Sequence, residues 1–232
     1  SICEEMSTVK GYAELLVLRA ERLRTDRIDP GTTGSVAAQG NDIPVHLGAM
    51  PFTGREIIRQ LPLDSWEPGD AVLTNDPYSG GNHLPDMTLV SPVFAGGDIV
   101  AFTANRVHWP DVGGASAGSS GVTDDIIKEG LRIPPVKLIR RGEFETDLMR
   151  VVFANVRVPM DRLGDLKAQL ACNLRGVVRV GDLVARYGPV ALQDTLRQMQ
   201  RQSRIQVETI LAGLPHGRYM AEDHLDGDGF AE

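Results

Sequence analysis

The chain has 232 residues, of which 42% are hydrophobic, 24% charged and 5% aromatic. That length can bury a real core, and the mix is ordinary for a globular protein. A formal charge of −7, with no Lys/Arg-rich run, argues against a nucleic-acid partner held through its phosphates.

No apolar run reaches bilayer-spanning length and no signal peptide is visible, so no membrane partner is expected. Two cysteines, Cys3 and Cys172, make neither a disulfide framework nor a metal-type pair, which fits a reducing, cytoplasmic setting. The chain opens inside a helix-like pattern. It stops just after Asp226-Gly227-Asp228-Gly229, a turn signal that normally leads into another strand. The expectation is a fragment or a shortened protein.

Residues 2–23 carry Val9, Tyr12, Ala13, Leu16, Val17 and Ala20 near a helical period, which predicts an amphipathic helix. Residues 24–34 are polar and hold Gly and Pro, hence loop; Ser35 to Gln39 suits a short strand. His46 follows between apolar neighbours, a setting more typical of a structural histidine than of a ligand. Phe52 to Leu61 predicts a short helix ended by Pro62, and Ala71 to Thr74 a strand that delivers the chain to Asn75.

The stretch from Asn75 to Gly114 organises the rest. A loop carrying His83 and Asp86 precedes two apolar segments, 88–94 and 99–104, separated by Gly96-Gly97-Asp98. If those segments pair antiparallel, the entry of the first and the exit of the second meet at one edge. His83, Asp86 and His108 then converge, although His108 lies 25 residues after His83.

Two imidazoles and a carboxylate from strand ends suit a three-ligand metal site with an open position. Gly80 and Gly81 permit close backbone approach, and Pro77, Pro85 and Pro110 stiffen the loops. Taken alone the pattern leaves two readings open, ligands or structural histidines. The donor set suits zinc, manganese or iron(II) and does not choose among them. Asp76 and Asp111 fit turn chemistry better than a site.

Beyond Gly114 lies a small, polar stretch, Ala115 to Gly121. It lacks the Gly-Lys-Ser/Thr ending of a phosphate loop and reads as a flanking loop. A helical turn is expected over Thr123 to Glu129, an extended path over Val136 to Ile139, and helical spacing over Phe144 to Val152. From Asp161 the pattern is helical for a long way. A second helix begins after Gly188-Pro189 and runs to Gly213; its length suggests an arm packed on another subunit or on more of a longer chain. Gly217 to Asp223 reads as a strand. The expected fold is mixed α/β (α+β), a largely antiparallel sheet core with a helical C-terminal portion. It divides into a metal-site domain, 1–158, and a helical portion, 159–232, leading into a truncated following region.

Several motifs in one order carry a resemblance. Asn75 to Asp86 reads Asn-Asp-Pro-Tyr-Ser-Gly-Gly-Asn-His-Leu-Pro-Asp, with Ile43-Pro-Val-His-Leu-Gly48 upstream. Downstream come His108-Trp-Pro-Asp-Val-Gly-Gly114, Glu129-Gly130, Asn155-Val-Arg157 and Gly164-Asp-Leu-Lys-Ala-Gln169. Over nearly its whole length the chain resembles the hydantoinase B/oxoprolinase family, which also includes acetone and acetophenone carboxylase subunits.

The resemblance implies a divalent metal on His83, Asp86 and His108. A further aspartate belongs to that family's Arg-x-Asp-Phe-Ser motif. Here Arg24-Thr25-Asp26-Arg27-Ile28-Asp29 stands in its place, without the Phe-Ser half, so Asp26 is the implied fourth ligand or base. Relatives usually run to more than twice this size, and this chain stops where they continue.

The resemblance also implies a hetero-oligomer. A partner of the hydantoinase A type would bind ATP and activate a cyclic amide such as a hydantoin, 5-oxoproline or another lactam, which this chain would help hydrolyse. A carboxylase subunit acting on a ketone and a non-catalytic assembly subunit are the alternatives.

Overall fold

A computed structural model of the chain describes residues 16–19, 36–38, 44–119 and 121–222. Its centre is a seven-stranded sheet in the order β2-β1-β5-β4-β3-β6-β7, antiparallel at every pairing. The strands are β1 (Leu16–Arg19), β2 (Val36–Ala38), β3 (Ala71–Thr74), β4 (Asp86–Ala95), β5 (Asp98–His108), β6 (Val136–Arg140) and β7 (Glu143–Phe144).

The hairpin β4–β5 is the spine. Gly96 and Gly97 both take positive φ, 61° and 92°, the backbone of a two-residue turn whose twist matches that of paired strands. The register runs from Ala95 opposite Asp98 to Asp86 opposite His108, with one shift at Val93/Phe94. That shift leaves Val100 as an extra residue on β5, a bulge of the kind that strengthens local twist.

Helices cover both faces, so the central strands are buried on both sides, their polar residues included. On one face lies α1 (Pro44–Gln60), whose Met50 and Ile57 pack with Trp66, Val72, Val90, Phe102 and Ala104. On the other lie α3 (Thr146–Ala154) and the long α4 (Pro159–Tyr187) and α5 (Pro189–Ala212); the four-residue α2 (Ile126–Glu129) precedes β6. Leu73, Met87, Leu89 and Leu138 meet Val152 and Leu166 there, while Val93 and Ala101 meet Val180, Leu183, Leu192 and Leu196.

A polar ladder crosses this second interface. Asn105 Nδ2 donates to Gln169 O (2.7 Å) and Asn173 Oδ1 (2.8 Å). Gln169 Nε2 donates to Met87 O and Asn105 Oδ1 (both 2.9 Å) and its Oε1 accepts from Trp109 Nε1 (3.0 Å). Asn173 Nδ2 donates to Leu89 O (2.9 Å). Fully paired buried amides of this kind fix the register of helix on sheet.

Three expectations are corrected. Residues 16–19 are strand where a helix over 2–23 was expected: Leu16-Val17-Leu18 pair with Ala104, Thr103 and Phe102, and the open edge of β5 outweighs a weak local helical period. The helix expected from Phe52 begins at Pro44 and continues through Pro51, because His46 and Met50 are buried beneath its first turns. Residues 217–222 are not strand. The mixed α/β class with a largely antiparallel core stands. From 201 to 222 every residue is exposed, including Ile205, Val207, Ile210 and Leu211. Among the described residues no helix is long and apolar enough to cross a membrane.

Candidate metal centre

The centre forms at the rim of the sheet where β4 begins and β5 ends. Asn75, fully buried, anchors the loop leading to it. Its Nδ2 donates to Leu84 O (2.7 Å) and Leu131 O (2.8 Å), and its Oδ1 accepts from Ile133 N (2.7 Å). Asp76 accepts from Tyr78 N (3.0 Å) and caps the short turn Pro77–Ser79. Gly80 follows at φ 87°; a Cβ there would stand 2.4 Å from the backbone nitrogen of Thr53. Glycine is what lets the loop lie against α1. Pro85 O accepts from Trp109 N (2.8 Å), which ties the loop to the exit of β5.

Asp86 and His108 are direct cross-strand partners, and strand alternation puts both on the α1 face. His83 hangs over them from the loop. One ligand atom from each of His83, Asp86 and His108 lies within 4.8 Å of the other two, and the two imidazole centroids are 5.1 Å apart. Asp86 is 1% exposed, while both histidines are open to solvent.

The two oxygens of Asp86 differ. His46 Nε2, from the first turn of α1, lies 3.1 Å from Oδ2, and Asn82 Nδ2 donates to the same oxygen at 3.3 Å. Oδ1 lies 2.9 Å from His83 Nε2, yet it is buried and accepts no hydrogen bond among the described residues. Such an orphaned carboxylate oxygen is costly unless something else satisfies it. Beside two imidazoles it completes an N,N,O donor set of the kind that suits zinc, manganese or iron(II). Asp26 lies outside the described residues.

Sequence reasoning passed over two neighbours and undervalued a third. Arg106, two residues before His108 on the same face, is fully buried; its Nε donates to Thr88 Oγ1 and its Nη2 to Thr53 Oγ1, both at 2.8 Å. Thr53 in turn donates to Gly80 O (2.5 Å). One guanidinium thus joins α1, β4 and the histidine loop. The available signal was a full charge inside an apolar strand, which demands buried partners. His46, read as structural, is 7% exposed and touches the acid of the trio.

Asp76 and Asp111 take structural roles. Burial alone would raise the Asp111 carboxyl, but Arg157 outweighs it through its backbone N–H (2.5 Å) and its Nη1 (2.7 Å), with help from the Gly113 N–H, and holds it below the usual range. The same guanidinium donates to Gly113 O (3.1 Å) and Gly114 O (2.7 Å). The Asn155-Val156-Arg157 motif is therefore the buttress of the loop that leaves β5.

Comparison with known proteins gives the geometry a context. The family profile described as Hydantoinase B/oxoprolinase matches residues 29–231. An uncharacterized protein of Methanocaldococcus jannaschii is 41% identical over 160 residues, 68% of this chain and 28% of that protein. The 5-oxoprolinase of Dictyostelium discoideum is 32% identical over 212 residues, 91% of this chain and 17% of that protein.

The caprolactamase subunit beta of Pseudomonas jessenii is 31% identical over 192 residues, covering 82% of this chain and 33% of the subunit. A chain in the crystal structure of that organism's ATP-dependent caprolactamase superposes with a TM-score of 0.78 at 26% identity, over 92% of this chain and 37% of that one. The chain thus spans about a sixth to a third of these relatives. Matched along most of its length in sequence and in fold, it belongs to the hydantoinase B/oxoprolinase family.

Proposed function

We propose that this chain is the metal-holding part of an ATP-dependent cyclic amide hydrolase. The observation that carries the reading is the convergence of His83, Asp86 and His108, with one oxygen of the buried Asp86 accepting no hydrogen bond among the described residues. Two relatives named as a 5-oxoprolinase and a caprolactamase subunit, both enzymes of cyclic amides, support the substrate class.

A divalent cation at such a site supplies Lewis acidity, polarising a carbonyl or phosphoryl oxygen and lowering the pKa of water. His83 and His108 offer neutral nitrogen donors on the solvent side. Asp86 offers charge from beneath, in a low-dielectric setting where it attracts a cation more strongly than an exposed acid would. Asp26 is proposed as a fourth ligand or a base. The Arg106 clamp holds α1 and the histidine loop at fixed distance, which preserves ligand geometry.

The caprolactamase relative is named as a subunit beta of an ATP-dependent enzyme, which supports assigning ATP chemistry to a partner chain of the hydantoinase A type in a hetero-oligomer. Its role is to activate the amide oxygen by phosphorylation, which makes the carbonyl carbon open to attack by water.

The test is elemental analysis of the purified chain and of His83→Ala and His108→Ala. The wild type carries a stoichiometric divalent metal; each variant does not, and loses ATP-dependent ring opening when combined with the partner. Retention of metal and activity together would overturn the reading. Turnover that requires bicarbonate would instead mark a carboxylase.

A further inference from the structure

Given the metal reading proposed above, the two oxygens of Asp86 are not equivalent. A carboxylate can meet a cation through either oxygen or through both, and a site of defined geometry has to choose. Here the choice is built in. Oδ2 is engaged by His46 Nε2 at 3.1 Å and by Asn82 Nδ2 at 3.3 Å, while Oδ1 accepts no hydrogen bond among the described residues and lies 2.9 Å from His83 Nε2.

His46 reaches Asp86 from a different element, 40 residues earlier in the chain, and is buried in the first turn of α1. Helix α1 is in turn fixed to the histidine loop and β4 through Thr53, Gly80 and Arg106. His46 is not in the group whose ligand atoms all lie within 4.8 Å of one another. Its place is behind the acid, where an imidazole orients a ligand without being one.

We propose that His46 is a positioning residue: from α1 it holds Oδ2 of Asp86 so that Oδ1 alone is presented to the cation. Removing it frees the carboxylate to rotate and weakens the site without removing any ligand.

The experiment measures the affinity of the full chain for Zn²⁺ and for Mn²⁺ alone, by competition with a chromogenic chelator, in wild type, His46→Leu, His46→Gln and His83→Ala. Thermal unfolding without metal verifies that each variant folds. His46→Leu should bind about 10–100-fold more weakly, the usual loss when an outer partner of a ligand is removed. His46→Gln, which puts an amide N–H near the lost ring nitrogen but is a poor ligand, should recover most of that loss. His83→Ala should lose binding outright.

If His46→Leu binds as tightly as wild type while His83→Ala does not, the positioning role is wrong and the metal reading survives. If His46→Gln is as weak as His46→Leu, His46 acts as a ligand or as packing, and the proposal falls. If His83→Ala itself binds normally, the metal reading fails and takes this inference with it.

Discussion

The two faces of the β4–β5 hairpin both bury polar side chains, and they treat them differently. On the α4 face Asn105, Gln169 and Asn173 exchange hydrogen bonds with one another, with Trp109 and with strand carbonyls. On the α1 face, at the rim, Asp86 is as deeply buried, yet its Oδ1 accepts no hydrogen bond among the described residues. A buried polar group whose partners all come from the fold serves the fold. One left short of partners, beside two open imidazoles, is the feature on which the proposed metal reading rests. The same hairpin thus carries a structural ladder on one side and the proposed receptive site on the other.

The largest effects should fall on the receptive side. Replacing Asp86 with Asn keeps the shape but removes the charge and turns one of the two acceptor oxygens into an NH2 donor, which no cation can use. Bound metal in elemental analysis should drop to background while the fold is retained by circular dichroism.

On the ladder side the opposite split is expected. Gln169→Leu strands the Trp109 N–H and the Asn105 side-chain oxygen; at about 1–3 kcal/mol per buried orphan, chemical denaturation should show a loss of about 2–6 kcal/mol. Metal affinity measured below the unfolding transition should hold. A Gln169 variant that loses metal but not stability would abolish the distinction.

The seam between the two effects is Gly80, where a side chain would collide with Thr53 and the backbone has positive φ. Gly80→Ala should cost about 1–3 kcal/mol and also weaken metal binding, because it displaces the loop that bears His83.

The hairpin and its consequence were readable in the sequence because both depend on local signals. Gly96-Gly97 between apolar runs sets the turn, the turn sets the register, and the register places Asp86 opposite His108. β3, β6 and the helix from Pro189 were readable for the same reason. What was missed depends on contacts distant in sequence. Leu16 to Arg19 is strand only because β5 offers an edge. His46 looks like any core histidine until α1 is laid across the sheet, and Pro51 hides the helix that carries it. The Gln169 ladder is invisible in a helical period, where glutamine reads as a solvent-side residue.

The smallest expected effect is on acid stability. Burial would raise the Asp70 carboxyl, but Lys137 Nζ (2.7 Å), with the Arg141 and Glu67 N–H groups (both 3.0 Å), holds it lower than usual, as Arg157 does for Asp111. For a carboxyl depressed in the folded state, its stabilisation is complete above the unfolded value, about 3.9 for an aspartate, and disappears as pH falls through the folded value. Stability should therefore be insensitive to these two acids from neutral pH down to about pH 5 and fall below about pH 4. Asp70→Asn should flatten that acid limb in denaturation curves taken across pH.

The central claim is that Asp86, with two imidazoles, awaits a cation. Its most direct test is thermal unfolding of wild type and Asp86→Asn across a titration of Zn²⁺ or Mn²⁺. A ligand that binds only the folded state adds about 2.7 kcal/mol at a hundred times its dissociation constant. The melting temperature of the wild type should climb with metal concentration while that of Asp86→Asn stays flat. Equal shifts in the two proteins, or none in either, would contradict the account.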